Sequence, residues 1–273
     1  MLFSHRSLKL SASLILVAGF SVVLTSCKQK PATNAQPAAQ PATQSATTAA
    51  TAQPKPDFSA VIKSTSPVAY FRLESPSGSS EIGGAGYLSK DGVTTSSSCV
   101  PMTGLDNKCA RLNGKDGWIS TTQAGGVATA GSILAWVNLA ALPKDDRHFF
   151  YVAGESQSGN DFDLQFENDN TLKFYTSGGA HSTYTPDPNT LVNQWHMIVA
   201  TMDSVSRTRA IYWDGQLVAT DQDSISPNKT SLFSIGNSTV FGGRFFNGSI
   251  DEVALWNRSL GANEVAAIYK GTK

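Results

Sequence analysis

Charge is scarce in this chain, and neither sign is in excess. The 273 residues carry 21 Lys and Arg against 21 Asp and Glu, for a formal net charge of +0. No basic face clusters along the sequence, which excludes recognition of a nucleic-acid backbone. Attachment to a membrane by charge alone is excluded on the same ground. Histidine is scarcer still, with 4 in all and none at a fixed spacing from another ligand-type residue. No nucleophile elbow around a Ser, HExxH, P-loop or paired zinc-ligand motif is present. Long apolar runs are lacking too. The longest, Leu10 to Val23, is shorter than the ~20 residues a membrane-spanning helix requires. Helical periodicity is confined to Ala262–Lys270, where Val265, Ile268 and Tyr269 share one face, and no repeat of 20–50 residues stands out.

What is there begins with an export signal. His5, Arg6 and Lys9 precede the apolar run, and small residues follow it up to Cys27. Leu24-Thr25-Ser26-Cys27 resembles the bacterial lipobox. That resemblance implies cleavage after residue 26, diacylation of the Cys27 thiol (palmitate-type chains) and a lipid anchor in the membrane. Two or more acyl chains hold a protein stably where one is marginal. Lys28 follows the Cys, and no Asp stands there. By resemblance this favours an outer-membrane or cell-surface destination in a bacterial envelope. The alternative is an ordinary cleaved signal with an incidental Cys27. Cleavage would remove Arg6 and Lys9, so a net charge of 0 less two positives leaves the mature chain near −2.

Residues 27–56 are the lipidated Cys followed by Ala, Thr, Pro and Gln. Such a stretch buries too little to offset its ordering entropy and is expected to be a disordered, extended tether. Residues 57–273 form the globular part. Of the 3 Cys, Cys99 and Cys109 are left as an even pair in an exported chain, and a disulfide closing the short loop between them is expected. Two free thiols are the alternative.

Short segments with period-two or β-rich character recur from Val68 onward, separated by Gly, Asn, Asp and Pro. They include residues 68–73, 117–120, 132–139, 148–153, 161–167, 171–176, 195–201, 207–213, 216–220, 231–236 and 247–256. Asp214-Gly215 between two of them predicts a tight hairpin. Asn168-Asp169-Asn170 predicts a second reversal. About a dozen strands and one helix mean an all-β sandwich.

Four stretches, taken in order, resemble the laminin-G-like, concanavalin-A-like jelly rolls of bacterial secreted proteins, which share a pattern with pentraxins. They are Arg111–Ile119, Ser132–Val137, Trp195–Thr201 with Ile211–Val218, and Phe246–Leu260 with the closing Ala262–Tyr269 helix. The resemblance implies a two-sheet antiparallel jelly-roll sandwich with one short C-terminal helix.

Within that frame the strand Asp161-Phe162-Asp163-Leu164-Gln165-Phe166-Glu167 puts its acids and Gln165 on one face and its apolar residues on the other. Jelly-roll endoglucanases carry a similar but tighter acidic strand. Here the spacing to Glu167 is one residue too long, and a solvated acidic face is expected. The resemblance also implies a structural Ca²⁺ at the sheet rim with Asp251 as ligand, or else Asp251 bracing a turn. A sugar site would need a rim aromatic with polar neighbours. Tyr184, in a loop, and Phe245 or Phe246 beside Arg244 are the candidates. Trp136 and Trp195 are assigned to the core and Trp256 to a half-buried position. No catalytic residues are assigned. The expected function is a non-enzymatic, envelope-anchored module binding a glycan or protein. A jelly-roll glycoside hydrolase and a passive structural or adhesion domain are the alternatives.

Overall fold

Hairpin turns between alternating strands build the domain. A computed structural model describes residues 57–90, 92–97, 99, 108–124, 129–155, 161–176, 179–222 and 232–271, all within one unit. The export signal, Cys27 and the tether lie outside the described residues.

Two eight-stranded antiparallel sheets face each other. Sheet A contains β1 (Ala69–Phe71), β4 (Val93–Ser96), β5 (Cys109–Asn113), β7 (Ala130–Leu139), β12 (His196–Asp203), β13 (Thr208–Trp213), β14 (Gln216–Asp221) and β16 (Asn247–Trp256). Its order is β14-β13-β12-β7-β16-β5-β4, with β1 also paired to β16. Sheet B contains β2 (Ser77–Ser79), β3 (Gly86–Ser89), β6 (Ile119–Ala124), β8 (Phe150–Glu155), β9 (Phe162–Phe166), β10 (Leu172–Thr176), β11 (His181–Tyr184) and β15 (Leu232–Ile235). Its order is β11-β10-β9-β8-β15-β6-β3-β2. Strands distant in sequence lie side by side, as a jelly roll requires. The helices are α1 (Phe58–Ser64), α2 (Pro143–Asp146), α3 (Pro188–Leu191) and α4 (Ala262–Lys270).

The hairpin at Asp214-Gly215 forms as the sequence predicts. Both residues have positive φ, +50° and +80°, as a two-residue turn between twisted strands demands. Asn170, at φ +73°, turns β9 into β10.

The strands of β7 and β16 read as continuous apolar runs because both of their faces are covered. Ile133, Ala135 and Val137 point between the sheets, where Phe71, Phe162, Phe233 and Phe246 also pack. Leu134 and Trp136 point the other way, onto a second core. That core joins Phe58 and Ile62 of α1 to Val265 and Ile268 of α4, across Tyr70, Met197 and Trp256. The sequence reading gave one helix; α1 escaped it because FSAVIKS is a single short amphipathic turn pair. Asp57 caps it, accepting from Ser59 N. Trp256 is fully buried rather than half-buried, since α1 closes over it, and its Nε1 donates to Thr65. Trp136 is buried as expected, whereas Trp195 is only partly so.

The two outer faces therefore differ. Sheet A wears two helices. Sheet B carries polar side chains outward from its middle strands.

Candidate functional site

Strand β9 places Phe162, Leu164 and Phe166 in the core and sends Asp163 and Gln165 to the outer face, with Asp161 and Glu167 at its ends. The outer residues are not the solvated face expected from the sequence. Asp161, Asp163 and Gln165 are 8%, 3% and 2% exposed. The reason is positional: β9 lies inside the sheet between β8 and β10, and the segment after β15 lays Phe241 and Arg244 against it. Together with Phe149, Tyr175 and Gly179 these residues line a pocket of about 240 Å³. That is below the ~300–1,000 Å³ of drug-sized sites and suits one small ring.

A chain of hydrogen bonds fixes the pocket wall. Arg244 Nη1 donates to Gln165 Oε1 at 2.7 Å, and Gln165 Nε2 donates to Glu167 Oε1 at 2.7 Å. Tyr175 Oη donates to the same Glu167 oxygen at 3.0 Å. Burial first, and then the Glu167 charge, hold the Tyr175 phenol protonated well beyond its ordinary range. It is a fixed donor. The Arg244 guanidinium lies 5.0 Å from the Phe149 ring centre and 4.4 Å from that of Phe241. Rings and hydrogen-bonding groups thus share one small cavity, the combination that sugar recognition uses.

Arg244 is the one sequence candidate of the ligand set that lines this pocket. Phe245 turns away and is half-buried; its carbonyl accepts from His148 Nε2 at 2.9 Å. Tyr184 lies in β11 rather than in a loop. It pairs with Leu172 on the inward face and packs 5.6 Å from the Trp213 ring. It braces the core edge instead of standing at a rim. Phe149, Phe241 and Tyr175 were missed by sequence reading, because their neighbourhood comes from three segments far apart in the chain.

Asp251 sits where β16 changes partner. Residues 247–250 pair with β5 and residues 253–255 with β1. Between them Glu252 adopts φ +53°. Asp251 Oδ1 accepts from Glu252 N at 2.9 Å, and Oδ2 is buried with no hydrogen-bond partner among the described residues. Glu252 accepts from Tyr70 Oη, and Arg72 reaches Glu252, Glu74 and Glu81 at 3.5, 2.8 and 3.6 Å. Burial first, then Glu252, lifts the Asp251 carboxyl well above the carboxylate range. Burial likewise pushes Glu252 up to about 7.

Calcium takes six to eight oxygens. The carboxylates that act on Asp251 are Glu252 and Glu74, and Arg72 already pairs with both. The one group of three ligand-type side chains among the described residues is Asp251 with Cys99 and Cys109. Those two sulfurs are bonded to each other, with their Cα atoms 5.6 Å apart. This donor set does not suit calcium.

His196 lies elsewhere, bridging Asp214 Oδ2 and the Thr190 carbonyl at 2.8 Å each. It ties the start of β12 to the β13–β14 turn and to α3 and has a structural part.

Residues 113–266 match a laminin-G family model described as the concanavalin A-like lectin/glucanases superfamily. The chain belongs to this superfamily. No curated protein matches it. Among solved structures the fold resembles domain 4 of AbnA, a GH43 extracellular arabinanase from Geobacillus stearothermophilus, in complex with arabinotriose. There the TM-score is 0.60 at 15% identity, covering 74% of this chain and 98% of that one. It also resembles the botulinum neurotoxin serotype D ligand-binding domain in complex with N-acetylneuraminic acid, with a TM-score of 0.59 at 11% identity. That match covers 77% of this chain and 52% of the toxin domain, about half its length. At these identities the likeness concerns the fold. The superfamily member described here is a two-sheet jelly roll with one helix-covered face and one face whose polar middle strand lines a pocket.

Proposed function

We propose that this chain is a non-catalytic carbohydrate-binding module, held at a bacterial cell surface by a lipid on Cys27. The observation that carries the reading is the sheet-B pocket, where Phe149 and Phe241 stand beside the Gln165, Glu167 and Tyr175 hydrogen-bonding wall. Neighbours of the same fold, described with arabinotriose and with N-acetylneuraminic acid, support it.

A retaining hydrolase built on Asp163 and Glu167 is disfavoured by strand geometry. A retaining pair needs carboxyls ~5–5.5 Å apart. On one strand face, residues four apart are roughly 13 Å apart along the backbone, and Gln165 stands between Asp163 and Glu167.

The test is a thermal melt of the full chain across a panel of polysaccharides. A ligand that binds only the folded state raises the midpoint by mass action. A rise with one glycan class, without release of reducing sugar, is the expected result. No rise with any glycan moves the reading to a protein ligand or a passive adhesion role. Release of reducing sugar makes the domain a hydrolase. Anchoring is tested separately, by incorporation of labelled palmitate that Cys27→Ala abolishes. Structural calcium would rest on the partnerless Asp251 Oδ2. A melting midpoint unchanged by EDTA removes it.

A further inference from the structure

Most polar groups lining the sheet-B pocket are already engaged. Asp161 and Asp163 are buried and make interactions within the protein itself. Gln165 uses both ends of its amide, Oε1 accepting from Arg244 and Nε2 donating to Glu167. The Tyr175 hydroxyl proton also goes to Glu167. Two groups keep capacity. A guanidinium carries more N–H donors than the one that meets Gln165, and the others on Arg244 meet no acceptor among the described residues. On Glu167 both donors converge on Oε1, which leaves Oε2 to accept.

Arg244 is also held in place before any ligand arrives. Its guanidinium lies 5.0 Å and 4.4 Å from the Phe149 and Phe241 ring centres. Its carbonyl accepts from Tyr151 N at 3.0 Å, which pins the main chain beside β8. A planar cation fixed between rings loses little freedom when its remaining donors bind, and such preorganisation favours affinity.

We propose that Arg244 and Glu167 together recognise a neutral sugar, Arg244 donating to one ring hydroxyl and Glu167 Oε2 accepting from another, on either side of the Gln165 amide. The proposal rests on the glycan-binding reading of the same pocket and names its ligand class and its two charged contacts. The open groups are one of each sign. An acidic sugar would bring its carboxylate beside Glu167, and an amino sugar would bring its ammonium beside Arg244. A hydroxyl suits both, since it accepts from the cation and donates to the carboxylate. Hydrogen bonds to charged groups are the stronger kind, so two of them hold one ring effectively. The volume of about 240 Å³ admits that ring.

The probes are neutral hexamers of β-1,4-linked glucose, mannose, galactose and xylose and of α-1,5-linked arabinose, together with an α-1,4-linked galacturonate hexamer and the free-amine glucosamine hexamer. Each is titrated calorimetrically into the full chain at neutral pH. The expected result is that a neutral hexamer binds best and that raising salt leaves its affinity unchanged, because the ligand carries no charge to screen. Glu167→Gln keeps one oxygen for Gln165 and Tyr175 and turns the other from an acceptor into a donor. Arg244→Lys keeps the charge and loses the planar fork. Each variant should weaken the neutral hexamer roughly tenfold to a hundredfold without moving the melting midpoint. Two substitutions on separate segments guard against a folding defect in one of them.

Tighter binding of the galacturonate or glucosamine hexamer than of every neutral one overturns the proposal, while the glycan-binding reading stands. Neutral binding that either folded variant leaves intact overturns it too, since that residue is then no contact. If no hexamer binds the wild type, the proposal falls, and the polysaccharide panel decides the broader reading on its own.

Discussion

Gly215 and Glu252 show how single backbone positions constrain this fold. Gly215 has φ +80°, and a Cβ there would stand 2.8 Å from the Cβ of Tyr269. The hairpin thus presses directly on α4. Gly215→Ala is expected to cost more than about 1 kcal/mol, a loss of roughly 2–4 °C or more in the melting midpoint. Gly84→Ala is the control, because Gly84 has a similar φ of +66° with nothing within 4 Å of a Cβ. A smaller loss there separates the clash from the backbone strain; equal losses would mean that Tyr269 simply moves aside. Glu252 makes a different demand. Burial raises its carboxyl from an ordinary 4.5 to about 7, so the folded state holds a proton more tightly than the unfolded chain does. The stability this group contributes is fully present below pH ~4.5 and is lost as pH rises through 7. Asp251 is shifted in the same direction. Glu252→Gln should flatten that part of the profile, so the melting midpoint of the variant falls less than the wild type's between pH 5 and 8. Parallel curves for the two proteins would contradict this assignment.

At the scale of elements, β9 and β16 carry the arguments. The alternation of Asp161–Glu167 gave the two faces of β9 correctly, because period two follows from strand geometry alone. It could not show that the polar face would be covered, since that depends on where residues 241–244 travel. In β16 the FNGSIDEVALW run was legible as a strand. The change of partner at Asp251-Glu252 was not, for two short strands share its edge there and neither pairing is local. Strands β2, β3 and β4 escaped notice for another reason. They are short, largely exposed and rich in Ser, Thr and Gly, so they lack apolar alternation. The bond from Cys99 to Cys109 ties the chain shortly after β4 to the first residue of β5. Its removal by Cys99→Ser with Cys109→Ser should cost about 2–4 kcal/mol, or roughly 5–10 °C in the melt. Ellman titration of the unreduced, unfolded wild type checks the bond directly, since three reactive thiols or two, depending on lipidation of Cys27, would rule it out.

For the whole molecule, the asymmetry of the sandwich decides where a ligand can go. The outer face of sheet A is consumed by Phe58, Ile62, Val265 and Ile268 packing on Trp136 and Trp256. Substituting the half-buried pocket rings Phe149 and Phe241 on sheet B should therefore alter binding with little change in the melt, whereas Trp256→Ala should cost ~3–5 kcal/mol and act on stability alone. The sequence by itself determined the all-β class, the Asp214-Gly215 hairpin, the faces of β9 and the C-terminal helix. Each of these is a local matter of periodicity or allowed φ, readable from neighbours a few residues apart. Only the tertiary structure decided that Tyr184 braces the core, that Phe149, Phe241 and Arg244 meet over the acidic strand, and that Asp251 stands at a strand junction beside a disulfide. Those arrangements join segments tens to more than a hundred residues apart, and their distances are set by how two sheets pack, which no local pattern records.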